Sequence, residues 1–381
     1  MVMRVELITG LSEIPEPAWD ALVQSDDPFA EYRFLRALED SGSVGPGTGW
    51  HPMHVTVWDG SDLVGALPLY LKGHSYGEYI FDWSWASAAH RLGIDYYPKL
   101  VSMVPLTPAT GQRLLLRSDQ DLSTMAPRLL AGAFAAAEQT GVSSLHILFL
   151  SQAERDALAP DSRLLPRLSM QYHWTNQGYN SYDDYLGRFR APLRKQARKE
   201  RRRAAGSGLD IRVVEGPDLT PGDWAALRAF YFDTCYKRGS GPYLTEDFFD
   251  RFLGESAGRV LAVLASDDDR VVAGALNFRR GKRLYGRYWG CVQEHDSLHF
   301  ECCYHRLIEY AIDNRLEHFE AGAQGIHKLR RGLLPARVHS VHWVRNPVLA
   351  DAVAEFLPRE AMSVEQEIAE LAEHGPFRRE Q

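Results

Sequence analysis

Arg287, Tyr288, His299, Glu301, Gln324, His327, Lys328 and Arg331 all fall within one stretch, Leu284 to Gly332. General acid–base chemistry uses these side-chain types. A base removes a proton, donors stabilise a developing anion, an acid protonates a leaving group, and cations hold a charged substrate. His327 suits the base, because a neutral imidazole beside Lys328 accepts a proton near neutral pH; capping the loop is the plainer alternative. Glu301 lies among apolar and aromatic residues, where a carboxyl has a raised pKa and can also act as base. A buried pair with Arg287 is its other reading. Tyr288 could donate to the oxyanion or the leaving group, and packing in a strand competes with that role. Gln324 and Arg287 add substrate-binding groups. Lys328, Arg330 and Arg331 suit a phosphate, with simple solvation as the alternative.

A second dense run is His74-Ser75-Tyr76-Gly77-Glu78-Tyr79. His74, Tyr76 and Glu78 are candidate substrate-binding residues. His295, His299, Cys302 and Cys303 would share nearby helical faces, but their spacing matches no standard zinc pattern, so no metal is expected. No Ser-His-Asp order, Walker loop or dinucleotide fingerprint occurs.

The net charge of −7 hides a strong asymmetry. RFRAPLRKQARKERRR (Arg188 to Arg203) carries +8, which leaves −15 on the rest. Arg194, Lys195, Arg198, Lys199, Arg201 and Arg202 within it could line a phosphate-binding surface. A solvated linker helix is the bland reading. Phe189 is the only aromatic in the run, which argues against base stacking.

These groups need elements to position them. LYGRYWG reads as a strand, LHFECCYHRLIEYAI as a helix and EHFEA as a second strand, leading into a glycine-rich basic loop. Such a unit builds sites at strand carboxyl ends. A chain of 381 residues implies two domains. PAWDAL returns as GDWAAL about 205 residues later, and Leu63 to Leu67 is echoed by Val272 to Leu276. In the first half, helices over PAWDAL and PFAEYRFLRALEDSG precede a hairpin turning at Asp59-Gly60. GEYIFDW and YYPKLVSMVPLTP read as strands, followed by a helix from about Leu122 to Thr140 and the strand SSLHILFL. The second half repeats this order. The expected division is 1–180 and 209–381, joined by a basic helix over 181–208 that Gly206-Ser207-Gly208 would end.

A composition of 45% hydrophobic and 24% charged residues is that of a soluble globular protein. No run of about 18 apolar residues is present, so no membrane span is expected. The N-terminus lacks a secretory pattern, and Cys235, Cys291, Cys302 and Cys303 contain no CxxC. A cytoplasmic protein with reduced thiols is expected.

The motifs KGHSYGEYIFDWSWA, YYPKL, VPLTPATGQRLL, LYGRYWG, LHFECCY, GAQGIHKLRRGLLP and a late GPF span almost the whole chain. In these the chain resembles the FemAB-like family of predicted N-acyltransferases, labelled for peptidoglycan biosynthesis. The resemblance implies an α/β fold of tandem duplicated GNAT-like (Fem-type) domains with mixed central sheets. It also implies an N-acyltransferase with no permanently bound cofactor. Its co-substrate would be aminoacyl-tRNA, as in Fem-type peptidyltransferases, or acyl-CoA, and its acceptor an amine. Fem-type enzymes also carry a lysine and a glycine after their last main strand, as Lys328 and Gly332 stand here. There are two departures. The family loop has an acid after GAQG, where this chain has Ile326. The Q/R-x-x-G-x-G/A pyrophosphate loop of acyl-CoA enzymes is absent from GCVQEHDSLHF. The second favours tRNA; the first leaves a non-catalytic RNA-binding protein as the other class of reading.

Overall fold

The computed structural model describes residues 3–239, 241–322 and 325–378. The chain divides into two compact units: Met1–Met170 with Tyr243–Phe248 and Arg337–Gln366, and Gln171–Pro242 with Phe249–Ala336 and Glu367–Gln381. This differs from the linear division expected at 180 and 209. The basic helix is counted in the second unit, and the late segment Arg337–Gln366 packs with the first. The reason is the strand Leu334–Val344, whose residues from His339 pair antiparallel with Ser144–Leu150.

In the first unit the hairpin His54–Asp59 and Asp62–Leu67 forms as expected and lies between Arg4–Ile8 and Leu115–Leu116. Lys99–Ser102 pairs parallel with Ser144–Leu150. The crossover between these two strands contains the helix Leu122–Thr140. Asp121 caps it by accepting from Thr124 N. Its apolar face, with Met125, Leu129 and Ala133, joins Val55, Val57 and Ile147 in one core. GEYIFDW is not a strand. Gly77 and Tyr79 take positive φ, which breaks an extended run, and a helix starts at Trp83. The next expected strand is short, Lys99–Ser102.

The second unit repeats the plan. Thr220 and Asp223 form a capping box that starts the helix Pro221–Lys237. Strands Asp210–Glu215, Val260–Asp267, Arg270–Arg280 and Arg283–Cys291 run antiparallel in that order. Arg283–Tyr285 then pairs parallel with His318–Glu320, which ends while its partner continues to Cys291. The crossover helix is not uniform: a π turn, Glu301–His305, sits between Leu298–Phe300 and Arg306–Asp313. Such turns rotate the following side chains and are frequent at functional sites. Val272–Leu276 occupies the same hairpin position as Leu63–Leu67, so the weak sequence echo reflects a structural repeat. The basic helix runs Ala191–Ala205 and is capped at Gly206.

Candidate functional site

In the second unit the chain leaves the strand His318–Glu320 and enters a 3₁₀ turn, Ile326–Arg331. Gly325 has φ of +116°, and a Cβ there would stand 2.4 Å from His327 Cε1. Only glycine lets the imidazole fold over this backbone. His327 Nε2 lies 2.9 Å from Tyr304 Oη, which the π turn presents. Rings of His299, Phe300 and Tyr304 surround the imidazole with centroids 5.7–5.9 Å away. Burial, then Arg331 and Lys328, push the His327 pKa below its ordinary value. His299 is lowered to about 4, first by burial. Both rings are therefore neutral near pH 7. Burial raises Tyr304, which keeps its proton.

Lys328 is buried and donates to Gly322 O at 2.7 Å; burial brings its pKa to about 8. Arg331 binds Glu200 through two hydrogen bonds, at 2.7 and 3.1 Å, and donates to His327 O at 2.6 Å. Its guanidinium lies 3.4 Å from the Phe300 ring centroid. Glu200 also accepts from His305 Nε2 at 3.0 Å, while His305 Nδ1 accepts from Tyr182 Oη at 2.7 Å. Burial alone would raise Glu200, but His305 and Arg331 hold it below the usual range. Arg331 thus fixes the His327 turn to the basic helix. A cavity of about 710 Å³ opens beside it, lined by His327, Ile326, Arg330, Arg331, Phe300, Leu193, Gln196, Glu200, Leu329, Leu371 and His374. Ile326 is 65% exposed at its edge.

The other residues singled out in the sequence are distributed as follows. Glu301 is buried between Arg201 and Arg306, each 3.2 Å away, so its partners are these and not Arg287. Tyr288 packs edge-on against Tyr231, with Arg287 3.4 Å from its hydroxyl. Gln324 lies outside the described residues. Arg201 binds Glu309 bidentately, at 2.7 and 2.9 Å, and lies 4.5 Å from the Tyr182 ring centroid. Arg198 approaches Asp183 at 3.5 Å. Lys195, Lys199 and Arg202 are exposed and Arg194 is half-buried. Burial raises the Cys302 and Cys303 thiols, so both stay protonated.

In the first unit His74 Nε2 donates to Thr48 O at 3.0 Å, and its Nδ1 accepts from Tyr76 N at 3.2 Å. Tyr76 is 56% exposed, and its ring meets those of His74 and Trp83. Glu78 is buried against Lys99 Nζ at 2.8 Å, with Lys72 at 3.9 Å. Burial moves Glu78 up to about 7 and Lys72 down to about 7. Lys99 also reaches Ser75 Oγ at 2.8 Å and pairs with Asp82. Sequence reasoning missed Lys72, Lys99 and Asp82, although all three lie in KGHSYGEYIFDWSWA and YYPKL. It also missed Tyr304, His305 and Glu200, the single acid within the basic run.

The profile of one family, described as peptidoglycan biosynthesis/recognition, matches residues 10–379. Among solved structures, FemX aligns at a TM-score of 0.52 with 11% identity, covering 92% of this chain and 100% of its own. The C-terminal domain of a candidate lysylphosphatidylglycerol synthetase from Agrobacterium fabrum gives 0.52 and 13%, covering 90% and 95%. A tandem GNAT protein from the clavulanic acid biosynthesis pathway gives 0.45 and 12%, covering 91% and 99%. No curated protein matches the sequence. With a hairpin and a parallel strand pair repeated in each unit, the fold is the tandem GNAT-like one.

Proposed function

The chain belongs to the FemAB-like family, and on that footing we propose that it is an N-acyltransferase forming an amide bond on an amine, with aminoacyl-tRNA as donor. The family's description points to a peptidoglycan precursor as the acceptor class. The observation that carries this reading is His327: a neutral imidazole at the edge of a 710 Å³ cavity, held at Nε2 by Tyr304.

In this mechanism His327 Nε2–H donates to Tyr304 Oη, which leaves the Nδ1 lone pair for substrate. The amine nitrogen attacks the aminoacyl ester carbon, and its proton passes to Nδ1. The C–O bond to the tRNA ribose then breaks, and the departing ribose oxygen takes a proton back from the imidazolium. The amide and a free 3′ end remain. One group serving as base and then acid keeps the protons balanced. Glu301 is left out of the step, because its carboxylate is engaged by Arg201 and Arg306 and does not line the cavity beside His327. Ile326 adds no base of its own, so the loop relies on His327. Tyr288 packs and takes no part.

Lys195, Lys199 and Arg202, with Arg194 and Arg198, would contact donor phosphates; Arg201 and Arg331 pair with the buried acids Glu301 and Glu200. Tyr76, above the buried Lys99–Glu78 pair, would bind substrate through its exposed ring. A cytoplasmic location fits four free cysteines and a charged-tRNA donor; among the described residues no helix is long and apolar enough to cross a membrane.

The test is donor retention: the purified protein is incubated with labelled aminoacyl-tRNA and, separately, labelled acyl-CoA at low salt. Retention of the tRNA supports the reading. Retention of acyl-CoA alone moves the donor assignment to that co-substrate.

A further inference from the structure

His173, His318 and Glu320 come from two antiparallel neighbours, the strands Leu165–Thr175 and His318–Glu320. Glu320 pairs directly with His173 across the ladder, and His318 lies two residues before Glu320, hence on the same face. Their donor atoms converge: His173 Nε2 is 3.7 Å from Glu320 Oε2, and His318 Nε2 is 3.4 Å from Glu320 Oε1. All three ligand atoms lie within 4.8 Å of one another.

Those separations are too long for good N–H···O hydrogen bonds, which cluster near 2.9–3.0 Å. They are the right length for something else. A tetrahedral zinc with bonds of about 2.0–2.1 Å places neighbouring ligands about 3.4 Å apart. Gln171 Oε1 is within hydrogen-bond reach of His173 Nε2, at 3.3 Å, a contact that a bound cation would replace. His173 and Glu320 are buried, whereas the His318 side chain is 20% exposed and leaves a way in.

We propose that His173, His318 and Glu320 bind one divalent transition-metal cation of the zinc type. Two imidazoles and one carboxylate are a borderline-soft set that suits zinc rather than magnesium or calcium. The cation would clasp the strand from which the 3₁₀ turn of His327 departs to its antiparallel neighbour. Arg283 Nη1 lies 3.8 Å from Glu320 Oε1 and would bond the carboxylate from outside, as second partners of metal ligands do. The ligands sit on strands far apart in sequence, which is why no compact motif announced them. The site does not depend on the transfer reaction.

The experiment uses the full chain, stripped with chelator and dialysed metal-free. Calorimetric titration with zinc should give one equivalent, and cobalt should produce the visible ligand-field bands of a tetrahedral site. Zinc should also raise Tm. His318→Ala should lower zinc affinity more than about tenfold and abolish the Tm increase, while His295→Ala leaves both unchanged. Should His318→Ala fail to fold, His318→Asn serves the same comparison. Absence of zinc binding by the folded parent, or one-equivalent binding that survives loss of the His318 imidazole, would overturn the proposal.

Discussion

His327 and Tyr304 carry the sharpest residue-level expectations. His327→Ala removes the base and should lower kcat by about 10²–10⁴-fold while leaving donor Kd unchanged. Tyr304→Phe removes only the hydrogen bond that orients the imidazole, worth about 1 kcal/mol, so a loss of only about fivefold is expected. Proton abstraction needs neutral His327, and its folded pKa lies below the ordinary imidazole value. The acid limb of kcat/KM should therefore fall below about pH 6.5 and disappear in His327→Ala. A limb that persists in that variant belongs to another group. His327 was legible in the sequence because the loop is polar, basic and glycine-rich. Tyr304 was not: it stands in an aromatic stretch, and only the π turn brings its hydroxyl to the imidazole.

Among the elements, the basic helix divides its charge between two tasks. Arg201 faces inward to Glu301 and Glu309, and Glu200 anchors His305 and Arg331. Arg201→Gln should destabilise the fold by on the order of 2 kcal/mol, since Arg306 still partners Glu301, and urea melts would register it. Lys195→Gln, Lys199→Gln and Arg202→Gln should leave stability alone and each reduce the log–log salt slope of tRNA binding by about one unit. The helix itself was plain from its charge and helix-forming residues. Which of its faces is buried was not, because a run of Arg and Lys has almost no apolar periodicity to mark an inward side. GEYIFDW misled for a related reason: its aromatic residues favour a strand, but the local turn at Gly77 and Tyr79 overrides that propensity.

At the scale of the molecule, repeated element order made the tandem fold readable, while the unit boundaries depended on long-range strand pairing that no local signal records. The buried charges of the first unit give it a distinctive pH response. Folded Glu78, near 7, keeps a proton that the unfolded carboxyl loses around 4.5, so its contribution to stability falls as pH rises between them. Folded Lys72, near 7, has lost a proton that the unfolded amine holds to about 10.5, so stability is regained above pH 7. Relative to Lys72→Met, the parent Tm should rise by roughly 2–4 °C per pH unit between 7 and 9. The most direct test of amide formation at His327 is a single-turnover assay with labelled aminoacyl-tRNA and a peptidoglycan-precursor amine, comparing parent and His327→Ala. The expected result is labelled amide from the parent and a rate lower by about 10²–10⁴-fold in the variant, with equal tRNA retention; amide formed at the parental rate without the imidazole would contradict it.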